Sequence, residues 1–172
     1  MVAKTIAARD TLGFSRQIFF VEIGGWDNHD ELLINQADNL KQVNDALNYF
    51  NNLMFELNTN DCVTTFSVSD FSRTLTSNGN GTDHAWGGNA FMMGGAVNGK
   101  EIYGDYPVLA LGSAIDLRDG VIIPTTSADM YMAELALWFG VAPSDLNTIL
   151  PNLSNFYDTA SGTPPIGFMN MI

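Results

Sequence analysis

Two apolar runs separated by one long amphipathic segment constrain this chain more than any other feature. Gln17 to Ile23 is almost continuously apolar, the pattern of a strand buried on both faces of a parallel sheet. From Glu31 to Leu57, the residues Leu33, Leu40, Val43, Leu47, Phe50, Met54 and Leu57 recur at three-to-four spacing. That spacing predicts one apolar stripe along a helix, with Asp30 as N-cap and Asn58 to Asp61 as the stop. Val63 to Val68 follows, rich in β-branched and aromatic residues, and reads as the next strand. Strand, helix and strand in this order predict a right-handed βαβ unit. The expected fold class is therefore α/β, a mainly parallel sheet flanked by helices. The loops after the two strands then open side by side at one sheet edge, where open α/β sheets gather their ligands.

A length of 172 residues fits a single domain spanning 1–172 and can bury a core. With 46% hydrophobic and 15% charged residues, the chain is globular rather than disordered. The net charge of −12, with seven Lys plus Arg, leaves no basic patch to hold a nucleic-acid backbone. Such a chain attracts cations and repels anionic substrates unless a bound metal reverses the local field. No apolar run approaches the roughly 20 residues that span a bilayer. Met1 to Arg9 reads as a short amphipathic helix and lacks the apolar core and cleavage site of a signal peptide. Cys62 is the single cysteine and is expected to be a small buried hydrophobe.

Residues 71–90 are rich in Gly, Ser, Asn and Thr and predict a long loop of the kind that is functional or mobile. Phe91 to Val97 and Lys100 to Tyr103 flank Asn98-Gly99, a hairpin signal. Val121-Ile122-Ile123 reads as a short strand closed by Pro124. Ser127 is placed to cap a helix that runs to Phe139 and ends at Gly140, and a last short helix is expected from Pro143 to about Leu150.

Both histidines of the chain stand near or beside an aspartate in glycine-bordered loops: Gly24-Gly25-Trp26-Asp27-Asn28-His29 and Gly81-Thr82-Asp83-His84. Carboxylate and imidazole at strand ends are the makings of a Zn²⁺ or Mn²⁺ site. Asp27 and His29 are two apart, so an extended backbone points both to one side, within reach of one cation. The alternative is an aspartate turn beside a surface histidine. Asp70 leaves the end of the second strand, as a ligand or as a simple turn-capping aspartate. Arg73, three residues on, is expected to pair with Asp70 or else to hold a substrate anion. Asp83 and His84 are neighbours and point apart, so His84 is the ligand candidate and Asp83 a group that orders the loop or supports a ligand from behind. A hydrogen-bonded loop pair is the alternative. No P-loop, dinucleotide fingerprint or nucleophile elbow is present.

At these residues the sequence resembles the bacterial proteins grouped as domain of unknown function 1501, within the alkaline-phosphatase/sulfatase-like superfamily. The resemblance rests on Arg16-Gln17-Ile18-Phe19-Phe20-Val21, Gly24 to His29, Thr65 to Thr74, Gly81 to Gly87, Met93 to Val97, Ile123 to Ser127 and Trp138 to Val141. It implies the C-terminal half of an alkaline-phosphatase-like domain in an exported, periplasmic-type protein, with the nucleophile and one metal-binding aspartate in an N-terminal half. It further implies that Asp27 and His29 match one ligand pair, Asp70 the aspartate of the next, and His84 a final ligand. Two features depart from the phosphatase pattern: the Asp27–His29 spacing is short, and Phe71 stands where a histidine ligand is usual. The implied activity is metal-dependent hydrolysis of a small anionic phosphate or sulfate ester. In it, Asp27, His29 and His84 hold one metal and Asp70 a second. The alternative is a non-catalytic binding or scaffold protein with a degraded site. A structural metal ordering the 71–90 loop is a third reading. A half-sheet would also leave an unpaired apolar edge, which predicts self-association.

Overall fold

The computed structural model describes residues 1–171. Two short helices, α1 (Val2–Ala7) and α2 (Arg9–Leu12), open the chain. The apolar run 17–23 follows in extended form, but among the described residues it has no ladder partner. Ile18 is 78% and Phe20 80% exposed. The expected buried parallel strand is therefore not formed: an apolar run specifies burial, but the partner that would cover it is non-local.

The long helix, α3, spans Leu32–Glu56, close to the expected range. Its N-cap is Glu31 in the left-handed conformation (φ 51) with no side-chain cap, not Asp30. The first free N–H, that of Leu32, is instead taken by the Asn80 carbonyl at 3.1 Å. The stripe is correctly periodic and is covered along its later part, where Val43, Leu47, Phe50 and Leu57 are half-buried, but not at its start. Met54 is the one buried residue of α3, while Leu33 is 82% and Leu40 55% exposed. At its far end, Thr59 N and Oγ1 both return to the Met54 carbonyl, and Asn60 O accepts from Gly95 N at 2.8 Å.

The strands form two small sheets, each of two antiparallel strands. β1 (Thr64–Phe66) pairs with β4 (Met92–Gly94), Thr65 facing Met93. β2 (Ser72–Ser77) pairs with β3 (Thr82–Ala85), with a register shift between Arg73 and Ser77. The chain is thus a mixture of helix and strand, and the mainly parallel sheet and its βαβ unit are not present among the described residues. The segment after α3 turns back on a nearer partner, Met92–Gly94, instead of joining the 17–23 run. The expected long loop over 71–90 holds the β2–β3 hairpin, disguised by its polar Ser and Thr residues. The expected hairpin about Asn98-Gly99 is absent: Asn98 N donates to Phe168 O, and Val97 forms a bridge with Met169. Val121–Ile123 contributes one bridge, Ile122 with Asp116, rather than a strand. Cys62 is exposed, not buried, because it closes a single helical turn between α3 and β1.

The core forms around α4 (Ala128–Phe139). Ser127 Oγ accepts from Met130 N at 3.1 Å, and Gly140 ends the helix at φ 100, both as the sequence predicts. One side of α4 packs Leu135 with Ala96, Phe168 and Met169, and the Tyr131 ring lies tilted against Phe168, planes 41° apart. The other side packs Ala133 with Leu146 and Leu153, where a helical turn (Pro143–Asp145) and α5 (Leu146–Ile149) replace the single helix expected there. Complete burial of a side chain such as Phe168 contributes about 1.5–3 kcal/mol. Between the clusters, Glu134 is fully buried, and its carboxylate accepts from the backbone N–H groups of Ile166, Gly167 and Met169.

Candidate metal centre

The β2–β3 hairpin positions the site. Arg73 and His84 are cross-strand partners, so their side chains share one face of the ribbon. That face meets the loop carrying Asp27 and His29, and the contact depends on Gly81. A Cβ there would lie 2.5 Å from the Asn28 carbonyl oxygen and closer still to the His29 carbonyl. The hairpin tip also holds the loop by Thr82 N donating to Asn28 O at 3.3 Å and by a hydrogen bond from Asn80 Nδ2 to Asp30 Oδ1.

The contact brings Asp27, His29 and His84 together. Asp27 Oδ1 lies 2.9 Å from His29 Nε2 and 2.7 Å from His84 Nε2, and the two Nε2 atoms are 3.3 Å apart. One ligand atom from each residue falls within 4.8 Å of the others, and all three residues are exposed. The other nitrogen of His29, Nδ1, lies 3.1 Å from Asp83 Oδ1. A carboxylate only accepts, so both ring nitrogens of His29 face an oxygen that favours an N–H, and a metal ion at Nε2 would take the place of the proton there while Asp83 holds the one on Nδ1. The Nε2 lone pair would then face the Asp27 carboxylate and His84 Nε2. Converging lone pairs of this kind require a positive charge between them, a proton or a metal ion. Two nitrogens each ~2 Å from a tetrahedral ion stand roughly 3.3 Å apart, and the Nε2 atoms already do. The two N···O separations are hydrogen-bond lengths and would open by several tenths of an ångström around an ion. Two imidazoles and a carboxylate suit Zn²⁺ or Mn²⁺ better than Ca²⁺.

Arg73 is engaged by the chain itself. Nη1 donates to Asp27 Oδ1 at 3.0 Å, Nη2 to Asn28 O at 2.7 Å and to Thr82 O, and Nε to Thr82 Oγ1 at 2.8 Å. The expected pairing with Asp70 is thus replaced by Asp27, which the loop carries across to the hairpin. The hydrogen bond with His84, then that with Arg73, holds the Asp27 carboxyl below its ordinary range, with the charges of both histidines adding to this. Phe71 stacks on His84, ring centroids 4.0 Å apart and planes 14° from parallel, and fixes the imidazole's tilt. Asp70 is exposed and lies outside the three-residue group. Asp83 lies against His29 across the loop.

Sequence reasoning missed the polar residues on the other side of Asp27. Asn28, Asn35, Asp38 and Asn39 line a cleft with Asp27 and Gly25. The i, i+3, i+4 spacing of Asn35, Asp38 and Asn39 on a helix was the available signal.

The family described as a protein of unknown function, DUF1501, matches over residues 1–136, and the chain belongs to that family. Comparison with curated proteins and with solved structures gives no match.

Proposed function

We propose that Asp27, His29 and His84 bind a divalent metal, Zn²⁺ or Mn²⁺, in a site for hydrolysis of a phosphate or sulfate ester. The observation that carries this reading is the convergence of two Nε2 atoms and one carboxylate oxygen, with Asp83 placed to hold the Nδ1 proton of a metal-bound His29. A bound metal would supply Lewis acidity and offset the protein's negative field toward an anionic ester. Asp27 and both histidines would hold it, Asp83 and Phe71 would orient the imidazoles, and Arg73 would keep Asp27 ionised and in place. The same reading places the chain in the alkaline-phosphatase/sulfatase-like superfamily and in an exported bacterial protein.

A second reading is a binding or scaffold protein that retains a metal without catalysis. Two observations favour it: Asp70 stands outside the donor group, and Phe71 fills the space beside His84.

Calorimetric titration with Zn²⁺ tests the metal. The parent chain should bind, and His29→Ala and His84→Ala should each lose most of the affinity. Binding should also weaken from pH 7 to pH 5, because an imidazole protonated on Nε2 is no ligand. Equal titration curves for all three proteins would remove the metal from the reading. Release of nitrophenol from 4-nitrophenyl phosphate or sulfate by the zinc-loaded parent, lost in His84→Ala, would separate the enzyme from the scaffold.

A further inference from the structure

Asp27 of the three-residue group also lines an open cleft of about 420 Å³. That is within the ~300–1,000 Å³ of small-molecule sites. Its wall is the first turns of α3, which present Asn35, Asp38 and Asn39, and its floor is the loop with Gly25, Asp27 and Asn28. The floor is shaped by Gly25, at φ 87, whose carbonyl accepts from Asn39 Nδ2 at 2.7 Å. A Cβ on Gly25 would lie 3.2 Å from that same nitrogen.

The lining is unusual in being carboxamides and carboxylates, with no cationic and no apolar side chain. Asn28 is only 6% exposed, yet its Nδ2 is buried without a hydrogen-bond partner. A buried donor without a partner is costly, and Asn28 is itself one of the residues that line the cleft. Resting on the metal-site reading above, we propose that the cleft binds the uncharged, hydroxyl-rich part of the substrate, a sugar ring. The ester group of that sugar would reach Asp27, His29 and His84. The chemistry selects this occupant. An anion is repelled by Asp27 and Asp38, and an apolar group would leave these amides and carboxylates unpaired. Vicinal hydroxyls both donate and accept, as a row of Asn and Asp requires. Asp27 belongs to both places, so the ester end and the alcohol end of one molecule would meet across it.

The test uses the full chain with and without Zn²⁺, titrated with neutral glucose, galactose, mannose and fucose, followed by saturation-transfer NMR. At least one neutral sugar should bind the parent with or without the metal. Asp38→Ala removes one charged acceptor and should weaken that binding by about tenfold, while its circular dichroism and Zn²⁺ titration stay those of the parent. His84→Ala should lose Zn²⁺ and keep the neutral sugar. A 6-sulfated form of the bound sugar should gain affinity from Zn²⁺ in the parent and none in His84→Ala. No sugar bound by the parent, or equal binding by a folded Asp38→Ala, overturns the cleft assignment and leaves the metal site standing. No gain from Zn²⁺ in the parent, with neutral binding intact, overturns the metal site and leaves the cleft.

Discussion

Replacing Glu134 with glutamine tests the core at its most exacting point. The glutamate is fully buried in α4, and its Oε2 accepts from Ile166 N at 2.7 Å and Gly167 N at 2.6 Å. Oε1 accepts from Met169 N at 2.7 Å. Glutamine keeps the shape but has one acceptor oxygen. In its better orientation that oxygen serves Ile166 and Gly167, and its NH₂ group faces the Met169 N–H, donor against donor. Two hydrogen bonds fall from charge-assisted to neutral strength, at about 1 kcal/mol each. The third is lost and leaves a buried donor, at about 1–3 kcal/mol. Relief from burying a charge offsets part of this, so the net loss should be about 3 kcal/mol. For a chain of this size that lowers Tm by roughly 6–12 °C. Thermal denaturation followed by circular dichroism would measure it. Hydrogen exchange should also show the amides of Ile166, Gly167 and Met169 losing protection before those of α4. A Tm within about 2 °C of the parent would correspond to under ~1 kcal/mol. It would refute the view that this carboxylate clamps the C-terminal segment.

Gly81→Ala should separate the two loops, because its Cβ meets rigid backbone at Asn28 and His29. Zn²⁺ affinity should fall as far as in His84→Ala, and unchanged affinity would show that the hairpin does not assemble the site. Leu33→Asp, at an 82% exposed position in the first turn of α3, should change stability by no more than about 0.5 kcal/mol. A loss of several kcal/mol would mean that this face is covered in solution, and sedimentation velocity would then show association. Asp27 has a lowered pKa in the folded chain, so its stabilising contribution is present above the ordinary carboxylate value of ~3.9 and disappears as pH falls through the lower folded value. Asp27→Asn should therefore flatten the fall in Tm below about pH 4, and an unaltered acid limb would show that the contacts with His84 and Arg73 are not made in solution.

The helices were legible because their signals are local. Periodicity marked α3, and Ser127 and Gly140 marked both ends of α4. The sheets were not, because an apolar run looks the same whether it pairs or lies extended, as Gln17–Ile23 does. β2 and β3 were hidden by polar side chains, although Thr74, Thr76 and Thr82 about Asn78-Gly79-Asn80-Gly81 carry a hairpin signal in retrospect. The geometry joins Asp27, His29 and His84 without the parallel sheet from which their convergence was argued. The Asp27–His29 spacing set one half, and the cross-strand facing of Arg73 and His84, invisible to a reading that saw a loop, set the other. Arg73 was expected on Asp70 because sequence proximity is a poor guide to a guanidinium with several donors to place.

Beyond its half-buried apolar face, helix α3 is tied at both of its ends by backbone hydrogen bonds. Its start rests on the hairpin tip through Leu32 N and Asn80 O, and the chain just beyond its end is fixed to β4 through Asn60 and Gly95. A helix of 25 residues is about 37 Å long, so it behaves as a beam whose near support is also the support of the metal-binding loops. Fraying of its first turn and opening of the hairpin should then be one cooperative event. The amides of Leu32 and Thr82 would exchange with solvent at a common rate, and an ion that slows one would slow the other.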